Sequence, residues 1–175
     1  MSSSSPDFPP ASIEAFLRSC AGEWMGLRSR FTPTDAEEAG DGDEWHTSER
    51  GELVVTFLEP NDATSVGGLS VGPQGQPARQ LQFSADGHLQ AGEQRGRWEL
   101  WPDGSLELVL SQGEDELRER IWFNKPNLRL RSTVEQRADG SLGRASFSSE
   151  IRRVSRPASS RRTCSSAQPP KLRLT

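Results

Sequence analysis

Two hydrophobic periods divide the chain. Up to residue 21 the apolar positions follow a helix; beyond residue 51 they mostly alternate. In "SIEAFLRSCAGEW" they fall at Ile13, Phe16, Leu17 and then Cys20 or Ala21, which is one face of an α-helix. Ser12 is a cap and Gly22 a stop. Downstream, "ELVVTFL" (52–58) is a β-branched run, and "RQLQFS" (79–84) puts Leu81 and Phe83 on one face. Strands are predicted further at 96–101, 105–111, 116–123, 128–136 and 144–154. Segments 32–44 and 60–78 are polar or rich in Gly and Pro and read as loops.

Asp-Gly pairs at 86–87, 103–104 and 139–140 punctuate the strands. Glycine accepts the positive φ of a tight turn, so each pair signals a hairpin. "NKPN" (124–127) supplies another turn. Consecutive antiparallel strands behind a single helix predict an up-and-down barrel or a sandwich. Closure is favoured because it removes exposed edges, and a barrel of eight or slightly more strands holds one small ligand.

Composition trims this picture. Residues 1–10 and 155–175 are rich in Ser, Pro and Arg and are expected to be disordered, leaving one domain over 11–154. The net charge of −4 argues against a nucleic-acid binder. The basic tail, with Arg156, Arg161, Arg162, Lys171 and Arg173 and no acid, is either a solvated tail or a weak contact for an acidic partner. Two cysteines, one of them in the tail, fit a reducing compartment. No secretory signal or membrane-spanning run is present, so a cytoplasmic protein is expected.

The candidate chemistry lies in the last three strands. Arg129 and Arg131 share one face, with Leu128 and Leu130 on the other. Two guanidinium groups so placed either grip carboxylates of a ligand or pair with Glu119 and Glu150 on a solvated face. Ser146, Ser148, Glu150 and Arg152 share the polar face of the final strand, and alternation does not say which face lines an interior. The Gly-x-Trp of "AGEW", expected ahead of the first strand, resembles the lipocalin-like signature, which implies that Trp24 closes a barrel end near an arginine of the last strand, here Arg152 or Arg153; the alternative is a large core residue. His46 and His88 read as surface or turn histidines with no metal-ligand spacing, and no phosphate-binding glycine motif appears.

The segments "IEAFLRSCAGEWMGLRSRF", "ERIWFNKPNLRLRST" and "ASFSSEIRR" resemble the S/U-type phycobiliprotein lyases, the CpcS/CpeS-like family. That resemblance implies an all-β, lipocalin-like antiparallel barrel of about ten strands with an N-terminal helix. It implies a phycobilin (phycocyanobilin or phycoerythrobilin) bound non-covalently as substrate, with no prosthetic group. The bilin would then be attached through a thioether to a cysteine of an apo-phycobiliprotein α or β subunit. Arg28, Arg129 and Arg131 match positions that would hold the propionates, with Trp24 and Trp122 in the pocket and Glu119 and Glu150 as catalytic carboxyls. Relatives carry an Asp and a Trp together on a middle strand; residues 66–92 contain no Trp. Alternatives are a non-catalytic carrier of a bilin or fatty acid, and one subunit of a homodimer or of a heterodimer with a related lyase. A cyanobacterial cytosol, or a plastid if the source is algal, is the implied compartment.

Overall fold

The computed structural model of the chain describes residues 8–33 and 47–154. Most of the expected disordered ends, His46 and much of the predicted 32–44 loop lie outside the described residues.

Helix α1 (Ile13–Cys20) forms where the period predicts it. Ser12 Oγ accepts from the Ala15 amide at 3.2 Å, satisfying one of the unpaired donors of the first turn. Phe16, Leu17 and Cys20 are fully buried, while Glu14 and Arg18 pair on the outer side.

Ten strands follow: β1 (Gly22–Phe31), β2 (Thr47–Leu58), β3 (Ser65–Gly72), β4 (Arg79–Ser84), β5 (His88–Ala91), β6 (Gln94–Leu100), β7 (Leu106–Gln112), β8 (Asp115–Lys125), β9 (Leu128–Gln136) and β10 (Leu142–Arg152). Each pairs antiparallel with the next, and β1 also pairs with β10, so the sheet closes into a barrel. The turns are those the sequence announces. Gly87, Gly104 and Gly140 all have positive φ. Asp103 Oδ1 accepts from the Ser105 amide and hydroxyl at 2.9 and 2.5 Å, and Asp139 holds Ser141 in the same way. Pro126-Asn127 is a two-residue loop between Lys125 and Leu128.

Three strands lie where none is expected, β1, β3 and β5, of which β3 alone falls in an expected loop. β1 begins at Gly22, so Trp24 lies within the first strand rather than ahead of it. β3 runs through the glycine-rich part of 60–78, where a loop is expected. Its glycines let neighbouring strands come close: a Cβ on Gly68 would lie 2.5 Å from the Leu81 carbonyl oxygen.

The interior is two-sided. From β3 to β8 it is lined by apolar side chains, among them Leu69, Phe83, Leu89, Leu106, Leu108 and Ile121. From β9 through β10 to β1 the inward positions are mostly polar, Arg129, Arg131, Ser148, Glu150 and Arg28, with Trp24 at the closed end.

Candidate functional site

One end of the barrel is closed. Phe16 of α1 meets Phe123 edge-on, with ring centroids 5.2 Å apart, and Trp24 packs against the same ring. Trp24 Nε1 donates to the Cys20 carbonyl at 2.8 Å. The guanidinium of Arg152 lies 4.3 Å from the Trp24 ring and donates to the carbonyls of Ser19, Ala21 and Pro126. It thereby satisfies carbonyls that the end of a helix leaves unpaired. Gly22 makes room for it: φ is +138°, and a Cβ there would stand 2.7 Å from Arg152 Nη1. The Gly-x-Trp segment and the arginine of the last strand are therefore one structural unit. Arg153, the other candidate, points outward to Glu52.

Above this floor sits a buried ionic cluster. β9 directs Arg129 and Arg131 inward, and β10 directs Glu150 between them, in register opposite Arg129. Arg129 Nε donates to Glu150 Oε2 at 2.5 Å, and Arg131 Nη2 donates to both carboxylate oxygens at 2.8 and 3.1 Å. Glu119, from β8, stands 3.5 Å from Arg131 Nη1. Arg129 is only 2% exposed, and its guanidinium stacks over Trp24 on the side of the cluster. Burial pushes the Glu150 carboxyl up, but Arg131 and Arg129 more than reverse this and hold it below the usual carboxylate range. Burial likewise opposes charge on Arg131, and Glu119 and Glu150 restore it above the ordinary arginine value.

The cluster is not saturated. Arg129 Nη2 and Arg131 Nε are buried N–H groups without a protein partner. An unmet buried donor carries a penalty of about 1–3 kcal/mol, so these groups favour an acceptor placed in the cavity. Arg131 and Arg129 border a cavity of about 120 Å³ whose other walls include Leu69, Phe83, Leu108 and Ile121. Glu150 borders a second cavity of about 220 Å³, with Arg28, Gly26, Gly51 and Ser148. The Glu150–Arg131 contact stands between the two. Arg28 Nε donates to Ser148 Oγ at 3.2 Å and has no carboxylate partner among the described residues.

The sequence thus brings Trp24, Arg28, Glu119, Arg129, Arg131 and Glu150 to one interior. Trp122 is the exception: it faces outward, its ring 6.3 Å from that of the exposed Phe147. The expectation that it lines the pocket fails because it alternates with Glu119 and Ile121, which point in. The sequence places Ser148 on the polar face of the final strand, two residues before Glu150, but gives no sign that it is the partner of Arg28. Gly26 and Gly51, facing each other across β1 and β2, clear the second cavity, and composition alone gives no sign of that. Trp98 of β6 is half-buried beside Phe83 and donates to the Ser84 carbonyl. Cys20 is buried in the cavity wall; burial pushes its thiol up and nearby Arg129 offsets only part of that.

A family model described as CpeS-like protein matches residues 78–153. Chromophore lyase CpcS/CpeS 1 of Paulinella chromatophora is 46% identical over 151 residues, spanning 85% of this chain and 92% of its own length. The chain belongs to the CpcS/CpeS chromophore lyase family. A second CpcS/CpeS relative, from Synechococcus sp. (strain JA-3-3Ab), is 36% identical over 113 residues, 64% of this chain and 53% of its own. The solved structure of an S-type phycobiliprotein lyase, CPES, from Guillardia theta shares the barrel. It has a TM-score of 0.61 at 20% identity, covering 83% of this chain and 94% of that one. CpcS/CpeS membership and the closed ten-stranded barrel agree with the fold the sequence motifs implied.

Proposed function

We propose that this chromophore lyase takes a phycobilin into the barrel and promotes its thioether attachment to a cysteine of an apo-phycobiliprotein subunit. The observation that carries this reading is the half-polar, half-apolar interior with its unsaturated arginine cluster. An open-chain tetrapyrrole has the same division: a flat apolar conjugated face, and an edge bearing two carboxylates and neutral acceptors. Arg28, Arg129 and Arg131 hold the propionates. Arg28 takes one without displacing any carboxylate. Arg129 and Arg131 are already neutralised by Glu150 and Glu119, so a second carboxylate there has to take over contacts that Glu150 now makes. Releasing Glu150 from Arg131 also joins the two cavities, which together reach only the lower end of the roughly 300–1,000 Å³ of small-molecule sites. Trp24 forms the floor.

Glu119 is the carboxyl best placed for acid–base work. It lines the apolar cavity and has one distant ion-pair partner, where Glu150 has two close ones. A carboxyl against the pyrrole nitrogens keeps the conjugated system protonated and electrophilic. The acceptor cysteine, as thiolate, adds its sulfur to the ethylidene carbon, and a proton goes to the bilin carbon skeleton; nothing is oxidised or released. The protein contributes mainly orientation and shelter from stray addition. The acceptor comes from the partner, because Cys20 is buried with its thiol form favoured. The two cysteines of this chain fit a reducing cytosolic or plastid setting.

The test is absorbance of phycocyanobilin or phycoerythrobilin mixed with the purified chain, followed by apo-subunit. The expected result is a red-shifted bilin band, then an adduct that survives denaturation. Arg28→Gln is expected to weaken the band roughly tenfold or more, by the loss of one charge-assisted contact. A red shift with no adduct points instead to a carrier. No spectral response to either bilin overturns the reading and leaves the chain a partner subunit.

A further inference from the structure

The apolar cavity has two different ends. Its lining reaches from Cys20, the last residue of α1, to Arg79. Successive strands of the barrel alternate in direction and β1 leads away from α1, so every even-numbered strand starts at the far end. Arg79 opens β4 and Gln94 opens β6, which puts both on that far rim. Arg79 shares the inward face of β4 with Leu81 and Phe83. Gln94 is on the face of β6 from which Trp98 meets Phe83. Arg79 Nη2 donates to Gln94 Oε1 at 2.5 Å, past the end of the four-residue β5 between them. Unlike Arg129 and Arg131, Arg79 has no carboxylate partner among the described residues. A guanidinium carries five N–H donors, so the contact with one amide oxygen leaves Arg79 with donors to spare.

We propose that Arg79, steadied by Gln94, orients the reacting end of the chromophore by donating to the lactam carbonyl of its terminal ring. This inference rests on the bilin reading of the site. The reaction decides which end of the ligand faces the rim. Phe16, Trp24, Phe123 and Arg152 close the other end, so a cysteine of a second protein meets the cavity at the rim. The ethylidene carbon that takes its sulfur belongs to a terminal ring, and that ring also bears a lactam carbonyl. The propionates sit on the central rings. Arg28, Arg129 and Arg131 therefore anchor the middle of the ligand and leave the terminal ring free to turn about its methine bridge. A donor on the rim stops that turning. Orientation matters because sulfur adding to the flat ethylidene carbon creates a stereocentre, and the face it meets sets the configuration. The carbon–sulfur bond forms, the ethylidene double bond is consumed, the thiol proton ends on the bilin skeleton and nothing leaves. Arg79 thus exchanges no proton and acts by fixing geometry.

Arg79→Gln tests the contact, with phycocyanobilin and then apo-subunit added to the full chain. The variant is expected to keep the parental bilin band, because the propionate anchors are intact. It should form the adduct about tenfold more slowly, the effect of losing one hydrogen bond from a charged donor. The bilin-bearing peptide released by proteolysis should separate into two epimers where the parent gives one, a readout that a merely structural role would not move. Gln94→Ala should shift rate and epimer ratio in the same direction by less. Arg79 is exposed, so the unfolding transition of Arg79→Gln should match that of the parent. A variant that attaches bilin at the parental rate, as a single epimer, overturns the inference alone. So does a bilin band weakened as far as in Arg28→Gln, which makes Arg79 one more propionate anchor. A parent with no bilin band, or with a band and no adduct, overturns the reading of the site and this inference with it.

Discussion

Glu150 touches both inward arginines of β9, and that makes it the most consequential carboxylate among the described residues. Removing one member of a buried ionic group leaves the others uncompensated, at about 3–5 kcal/mol. Glu150→Gln is therefore expected to lower the unfolding free energy by that order in urea titrations, with the barrel still able to fold around a neutral amide. The pH dependence has a definite sign. The folded carboxyl lies below its unfolded value of about 4.3, so its stabilisation is complete above that value and is lost as pH falls through the depressed one. Asp62, Asp86, Asp103 and Asp139 are also held low by their turn hydroxyl, imidazole and amide donors, so the parent's acid slope has several sources. The difference in slope between parent and Glu150→Gln isolates Glu150, and equal slopes would remove it from the acid response. Alternation alone already puts Arg129 and Arg131 on one face and Glu150 on the polar face of the last strand. What alternation cannot supply is which face is inside, because on β10 the usual rule is inverted: Ser148 and Glu150 are buried while Phe147 and Ile151 are in solvent. The polar cluster can be internal only because its members satisfy one another, and that satisfaction spans residues 119 to 150.

At the scale of elements, most strands with patterned side chains are readable in the sequence, while β3, built on glycine, the four-residue β5, and β1, which starts two residues after the helix, are not. β4 and β9 run over the residues the alternation marks, 79–84 and 128–136. β3 is illegible because Gly67, Gly68 and Gly72 present no side chains to alternate and resemble a loop in composition. Their role is proximity to neighbouring backbone, a property of tertiary contact. Two glycines separate this role from mere tolerance. Gly68→Ala forces a methyl to within 2.5 Å of the Leu81 carbonyl oxygen and pushes β3 away from β4. The expected loss is about 1–3 kcal/mol, as for overpacking. Gly51 has an ordinary φ, and a Cβ added there would meet no atom within 4 Å, only the second cavity. Gly51→Ala is expected to be neutral or to stabilise by up to about 1 kcal/mol through reduced freedom of the unfolded chain. Thermal denaturation of the two variants beside the parent checks both, and equal melting temperatures would dissociate the glycines of β3 from close packing.

For the whole molecule the question is how a barrel whose first and last strands lie more than a hundred residues apart is locked shut. β1 pairs with β10 along Trp24↔Arg152 to Phe31↔Ala145, and Arg152 fixes the end of that seam. Its guanidinium reaches the carbonyls of Ser19 and Ala21 at the end of α1 and of Pro126 in the β8–β9 turn, while its flat face lies on Trp24. One side chain thus joins the helix, the first strand, the last strand and a distant hairpin. A planar five-donor fork can do this and an ammonium cannot, since a single nitrogen does not reach three carbonyls and stack at once. Arg152→Met leaves those carbonyls without donors and is expected to cost about 2–4 kcal/mol, from hydrogen bonds to a charged group at roughly 1.5–3 kcal/mol each with partial rescue by water. Arg152→Lys should recover the stacking on Trp24 but only part of the stability. The loss should also be local first. Hydrogen exchange is expected to rise in α1 and at the β1–β10 seam before the β6–β8 hairpins, whose pairing does not depend on Arg152. Uniform exchange throughout the barrel would instead make the seam no weaker than the rest, and closure would then rest on strand pairing alone.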